Sequence, residues 1–137
     1  MKVLLFDGLQ DVGLLILRIF IGWIFIYHGW PKVIGGKKMA ADMGKPQMGW
    51  FMIFLGIAET LGGLAAIAGF LTQPANIGFI LVMLGAIGLK AFQMKVPFSS
   101  HDKGGWEFDF IILGAAIALV LLGAGNYSVD ALIGFWP

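Results

Sequence analysis

The 137-residue chain has no cysteine. Disulfides, thiol redox chemistry and thiolate ligation of zinc or iron–sulfur clusters are therefore closed to its side chains. Histidine is almost as scarce: His28 and His101 are the only two, and neither an HxxxH nor an HExxH spacing occurs, so no metal site is expected. Charge is thin at 12% of residues and nearly balanced, nine Lys+Arg against eight Asp+Glu. The basic footprint of a nucleic-acid binder is missing. At 59% apolar residues, a soluble domain would lack the polar surface to wet its outside.

Long apolar runs fill the chain instead. Residues 12–31, 49–71, 75–94 and 108–125 each approach the length needed to cross a bilayer at 1.5 Å rise per residue. The pattern predicts an all-α fold, an integral membrane four-helix bundle forming a single membrane domain over 1–137. Lys2 ahead of an apolar stretch resembles a signal peptide, but Asp7, Asp11 and Arg18 interrupt it, and the first run is read as a span without cleavage. Pro31 is expected to end that span, 32–48 to be a basic loop, Thr72-Gln73-Pro74 to be a short turn, and 95–107 to be a second polar loop. The tail after residue 126 is expected to lie in the interface. Seven lysines (32, 37, 38, 45, 90, 95 and 103) fall on the side of the two long loops, against Lys2 alone on the other. This bias puts the long loops in the cytoplasm and both termini outside a plasma membrane.

Gly22, Gly29, Gly56, Gly63, Gly78 and Gly85 lie within the runs, where small residues let helix backbones approach closely. Arg18 and Glu59 are formal charges inside apolar runs, and charges there are costly unless paired. By counting along the two runs they differ in depth by only about 6 Å. The expectation is a pair that either fixes helix register or faces a substrate or proton cavity. A second polar group, His28, Lys32, Lys90, Gln93, His101, Glu107 and Asp109, should gather at the level of the long loops. Histidine, lysine and arginine donors among aromatic walls suit a quinone headgroup better than a metal.

Three segments carry a family resemblance: GLLILRIFIGWIFIYHGWPKVIG at 13–35, GIAETLGGLAAIAGFLT at 56–72 and GGWEFDFIILGAAIALVLLGAGNYSVDALIG at 104–134. In this order they resemble the DoxX family of small four-helix membrane proteins, with Pro31 standing where glutamine is expected. The family takes its name from a subunit of a thiosulfate:quinone oxidoreductase. The resemblance implies a bacterial or archaeal membrane subunit of a redox system that binds a quinone or small oxyanion and assists electron and proton transfer. Arg18, His28, Glu59 and Glu107 are the positions where catalytic function would be carried, and Arg18, His28, Lys32 and His101 those for binding a cofactor. Without cysteine, electrons must come from elsewhere, such as a soluble redox enzyme docked on the cytoplasmic side. The other expected partners are membrane lipid and a second copy of the chain. Two readings stay open beside this one: a carrier of a small amphipathic solute or lipid, and a scaffold that recruits soluble redox enzymes.

Overall fold

The computed structural model describes residues 8–102 and 104–135, and all regular structure among them is helical. The α-helices are α1 (Gln10–Asp42), α2 (Gly49–Ala68), α3 (Thr72–Gly88), α4 (Glu107–Leu122) and the short α5 (Val129–Ile133). A 3-10 turn over Pro46–Met48 leads into α2, and a π-helical turn over Leu89–Gln93 ends α3. With these turns, Gln10–Asp42, Pro46–Ala68 and Thr72–Gln93 are long and apolar enough to cross a membrane. The apolar α4 has 16 residues, about 24 Å of helix. Outward faces are hydrocarbon: Phe20, Leu81 and Leu121 are 67%, 66% and 77% exposed. Lipid, not water, solvates such a surface. Lys2, Asp7 and Lys103, used in the charge argument, lie outside the described residues.

Several boundaries differ from those expected. Pro31 does not end α1, which runs on to Asp42 and takes up most of the expected basic loop. Proline has no N–H for the Tyr27 carbonyl, and the strain is released a turn later, where Gly35 leaves helical geometry (φ −132°, ψ 17°). Beyond this bend α1 still rests on α2, with Gly36 against Ile53 and Gly49 against Lys37. Packing thus overrides the proline. The turn between α2 and α3 is Gly69–Leu71, and the Thr72-Gln73-Pro74 stretch is already the first turn of α3, where proline's missing N–H costs nothing. The expected four-helix bundle also gains a fifth helix, because the tail folds back as α5.

That fold-back forms a clasp at the end of the molecule where α1 begins. Leu71 adopts a left-handed φ of 49°, unusual for a side chain of its size. Asp130 on α5 holds it there, accepting the Leu71 and Thr72 N–H groups at 2.8 and 2.9 Å. The Asp130 N–H in turn donates to the Gly69 carbonyl at 2.8 Å. Ser128 caps α5, accepting the Ala131 N–H at 3.1 Å. Asp11 at the start of α1 accepts the backbone and side-chain N–H groups of Asn126 at 2.9 and 2.7 Å. Five segments meet in one polar knot.

The α1–α2 pair is set by glycine. A Cβ on Gly22 would lie 2.5 Å from the Gly63 carbonyl oxygen, and one on Gly56 would lie 2.7 Å from that of Gly29. Backbone touches backbone at both steps, one heptad apart on each helix, which fixes the antiparallel register. α3 and α4 form the second pair. The two pairs meet across a core of Ile21, Phe25, Ala66, Phe79, Met83, Ile112, Ala116 and Leu119, with Phe25 and Phe79 stacked at 3.6 Å between ring centroids.

Gly56→Leu must push α1 off α2 and should cost about 1–3 kcal/mol, as overpacking does. Gly78→Leu meets open space and should leave thermal unfolding in detergent unchanged. Asp130→Ala removes two charge-assisted hydrogen bonds and should lower stability by about 2 kcal/mol in the same assay.

Candidate functional site

At the opposite end from the clasp, the two helix pairs part and leave a cavity of about 960 Å³. Its floor is the lower edge of the core, Phe25, Met83 and Ile112. Most of the wall is aliphatic or aromatic, and the polar groups that enter it are few and grouped. Lys32 on α1 pairs with Glu59 on α2, Nζ to Oε2, at 2.6 Å. Lys90 pairs with Asp109 on α4 at 2.7 Å. His28 and Gln93 also line the space.

Each of these side chains is placed by local structure. Lys32 follows Pro31 on the part of α1 that the glycine register holds against α2, so it arrives beside Glu59, which is 4% exposed. Lys90 and Gln93 sit in the π-helical turn, whose extra residue per turn rotates them relative to an ideal helix. Asp109 falls in the first turn of α4, where the helix dipole favours a carboxylate. His28 stands edge-on to Tyr27 and 6.1 Å, centroid to centroid, from Phe108 on α4. The result is two neutral Lys–carboxylate pairs in an apolar chamber. The two pairs can offer N–H donors to an oxygen while carrying no net charge themselves, and the exposed Lys45 adds one positive charge to the lining.

The expected Arg18–Glu59 pair does not form. Glu59 lies beside Gly29, eleven residues along α1 from Arg18, which is about 16 Å of helix. The expected offset of about 6 Å came from placing the first span too short, with its end at Pro31. Arg18 belongs to the clasp: it is fully buried, donates to the Tyr127 carbonyl, and donates from Nη1 to the Ile67 carbonyl at 3.3 Å. Its fit requires Gly69, where a Cβ would collide with the guanidinium.

Of the expected site residues, the cavity thus gathers His28, Lys32 and Glu59. Arg18 is at the other end. Glu107 is exposed at the start of α4, where it accepts the Ser99 hydroxyl at 3.3 Å, and His101 is exposed in the preceding loop; neither lines the cavity. Lys90 and Asp109 belong to the second polar group expected at this depth, and the cavity makes them a pair on its wall. The signal was present, since each is a charge just inside an apolar run. Among the described residues, no three His, Cys, Asp or Glu side chains converge as a metal site would need.

Residues 13–94 match the DoxX family. The chain is similar to CatD of Bacillus subtilis (strain 168), provisionally named an oxidoreductase, with 31% identity covering 90% of this chain and 88% of that protein. It is also similar to two inner membrane proteins of Escherichia coli (strain K12): YqjF, 32% identical over 91% of this chain and 95% of the relative, and YphA, 29% identical over 91% and 93%. No solved structure matches the chain.

Removing one partner of a buried pair strands the other charge. Lys32→Ala should therefore cost about 3 kcal/mol, and Lys32→Ala combined with Glu59→Gln clearly less. A double-mutant cycle on thermal unfolding reads this directly. Additive losses would mean that the two side chains are not coupled.

Proposed function

The chain belongs to the DoxX family, and from that premise we propose that it is the membrane subunit of a redox system which holds a quinone headgroup in the cavity between Lys32–Glu59 and Lys90–Asp109. The observation that carries the reading is the cavity itself: apolar walls with two close ion pairs and a histidine as its main polar features. Its volume, about 960 Å³, is at the upper end of small-molecule sites. The provisional name of CatD points the same way.

The donor set fits such a group. A quinone supplies a two-electron, two-proton couple when bound. Lys32 Nζ and Lys90 Nζ, each partly buried and already paired with a carboxylate, turn one N–H toward a carbonyl oxygen without breaking the pair. The Lys32 and Lys90 ammonium groups each have a proton to give to a quinone oxygen as it is reduced, becoming neutral amines, while Glu59 and Asp109 hold them in place. The aromatic and aliphatic walls exclude water and hold the ring. A small oxyanion is less well served by Lys32 and Lys90, because both are already neutralised, which leaves only the exposed Lys45 at the rim of the cavity for it.

In this reading α4 is the fourth span and 1–137 acts as one membrane domain in a plasma membrane. The lysine bias places the cavity end and the connections on it in the cytoplasm, and the clasp with both termini outside. The exposed Lys45 at the cavity end, beside Lys38 in its pair with Asp42, offers a docking face for a soluble redox enzyme that supplies the electrons. The buried clasp of Arg18, Thr72 and Asp130 favours a binding site over a carrier, which would need an exit at that end as well.

Organic extraction and mass spectrometry of gently purified protein tests the proposal. Quinone is expected with the wild type, reduced about tenfold in Lys90→Ala, as for the loss of a charged hydrogen bond. Bulk phospholipid alone in both proteins would sink the quinone reading and favour the scaffold.

A further inference from the structure

We infer that the cavity fills sideways from the bilayer, and that the ligand's isoprenoid chain stays in the seam between α2 and α3 while its head reaches the two ion pairs. The inference rests on the quinone reading above and adds the route and the part of the ligand that the protein leaves in the membrane.

The seam begins tight and ends open. At the clasp end α2 and α3 are joined by Gly69–Leu71, and Gly62 leaves just enough room for the Phe79 ring, 2.8 Å from where its Cβ would stand. Towards the other end the same two helices no longer fill the space between them. Met52 and Leu55 on α2 and Gly85 and Gly88 on α3 line the cavity instead. The lips are Phe51 and Phe92, 51% and 81% exposed. The seam between α1 and α4 is different, because the rings of His28 and Phe108 span it.

The bareness of the α3 wall is the key observation. A Cβ on Gly85 or Gly88 would meet nothing within 4 Å, so both glycines border open space. Tight packing explains Gly22, Gly56 and Gly63, but it cannot explain these two. Their effect is a strip of backbone without side chains, flanked by aliphatic residues, and a chain of branched hydrocarbon lies flat against such a strip.

Depth settles what can pass. Gly85 and Gly88 stand 13 and 16 residues into α3, about 20 and 24 Å from its start. With the start of α3 taken as one edge of a hydrocarbon layer of about 30 Å, both positions fall inside it. The opening therefore faces acyl chains, and a ligand entering there is already dissolved in the membrane. The polar groups lie inward of the seam, so the head enters and the tail follows. A water-soluble oxyanion has no access by this path.

The test uses full-length protein in nanodiscs and equilibrium binding read by quenching of tryptophan fluorescence. The probes are a naphthoquinone bearing a prenyl tail and the same ring without one. Gly85→Phe and Gly88→Phe place a ring in the seam from positions where a Cβ meets nothing within 4 Å, and Gly78→Phe, on the same helix and also facing open space, is the control. The expected result in G85F and G88F is a loss of affinity for the tailed quinone at least tenfold larger than the loss for the tail-less ring. G78F should bind both probes like the wild type, and all three variants should keep the wild-type melting temperature. Unchanged binding of the tailed quinone in G85F and G88F would overturn the lateral route while leaving the cavity reading standing. Equal loss of both probes would do the same, since the seam would then hold the head. Wild-type protein that binds neither probe would overturn the cavity reading and this inference together.

Discussion

Backbone contact between α1 and α2 is the constraint on which the rest depends. Gly22 against Gly63 and Gly29 against Gly56 bring the two helices closer than any side chain would permit. In a membrane, where apolar side chains gain little by leaving lipid, such close approach is what holds helices together. It also fixes register, and register decides which charges meet. Lys32 reaches Glu59 because the glycine steps leave no other alignment. Arg18 is carried past Glu59 to the far end of α2 for the same reason, and must find its partners in the tail.

The molecule therefore has two unlike ends. At one, five segments are tied by hydrogen bonds, with Asp130 holding an otherwise unfavourable turn and Arg18 donating to two carbonyls, although Arg18 Nε and Thr72 Oγ1 stay buried without a partner. At the other, the helix pairs diverge over a floor of Phe25, Met83 and Ile112. The closed end ties the two pairs together and allows the other end to stay apart. A cavity of this size in so small a protein would otherwise collapse, because unfilled apolar space forfeits packing energy.

The charges follow the same division. Those in the clasp bind backbone groups and serve the fold. Those at the cavity end bind one another as Lys–carboxylate pairs, which lowers the cost of holding charge in hydrocarbon while leaving N–H and carboxylate groups at the cavity wall. The π-helical turn that presents Lys90 fits this division, since such turns persist mainly where a side chain must be re-aimed.

Composition and run length were enough to establish a helical membrane protein, because the cost of unsatisfied backbone in hydrocarbon leaves helices as the simple solution for long apolar runs. The family was legible too, in the ordered segments around Arg18, Glu59 and the Gly-Asn-Tyr-Ser-Val-Asp stretch. His28, Lys32 and Glu59 were recognisable as residues out of place in lipid. The glycine heptads Gly22, Gly29 and Gly36 on α1 and Gly49, Gly56 and Gly63 on α2 contain the register, which a helix end at Pro31 hides. What the sequence left open was partnership. A local rule ends a helix at proline, yet contacts with α2 carry α1 through it. A local rule makes the tail interfacial, yet Asp130 finds the Leu71 and Thr72 N–H groups fifty-eight or more positions away. Which carboxylate meets which lysine, and where the helices part, are long-range consequences of backbone packing, and only the tertiary structure decided them.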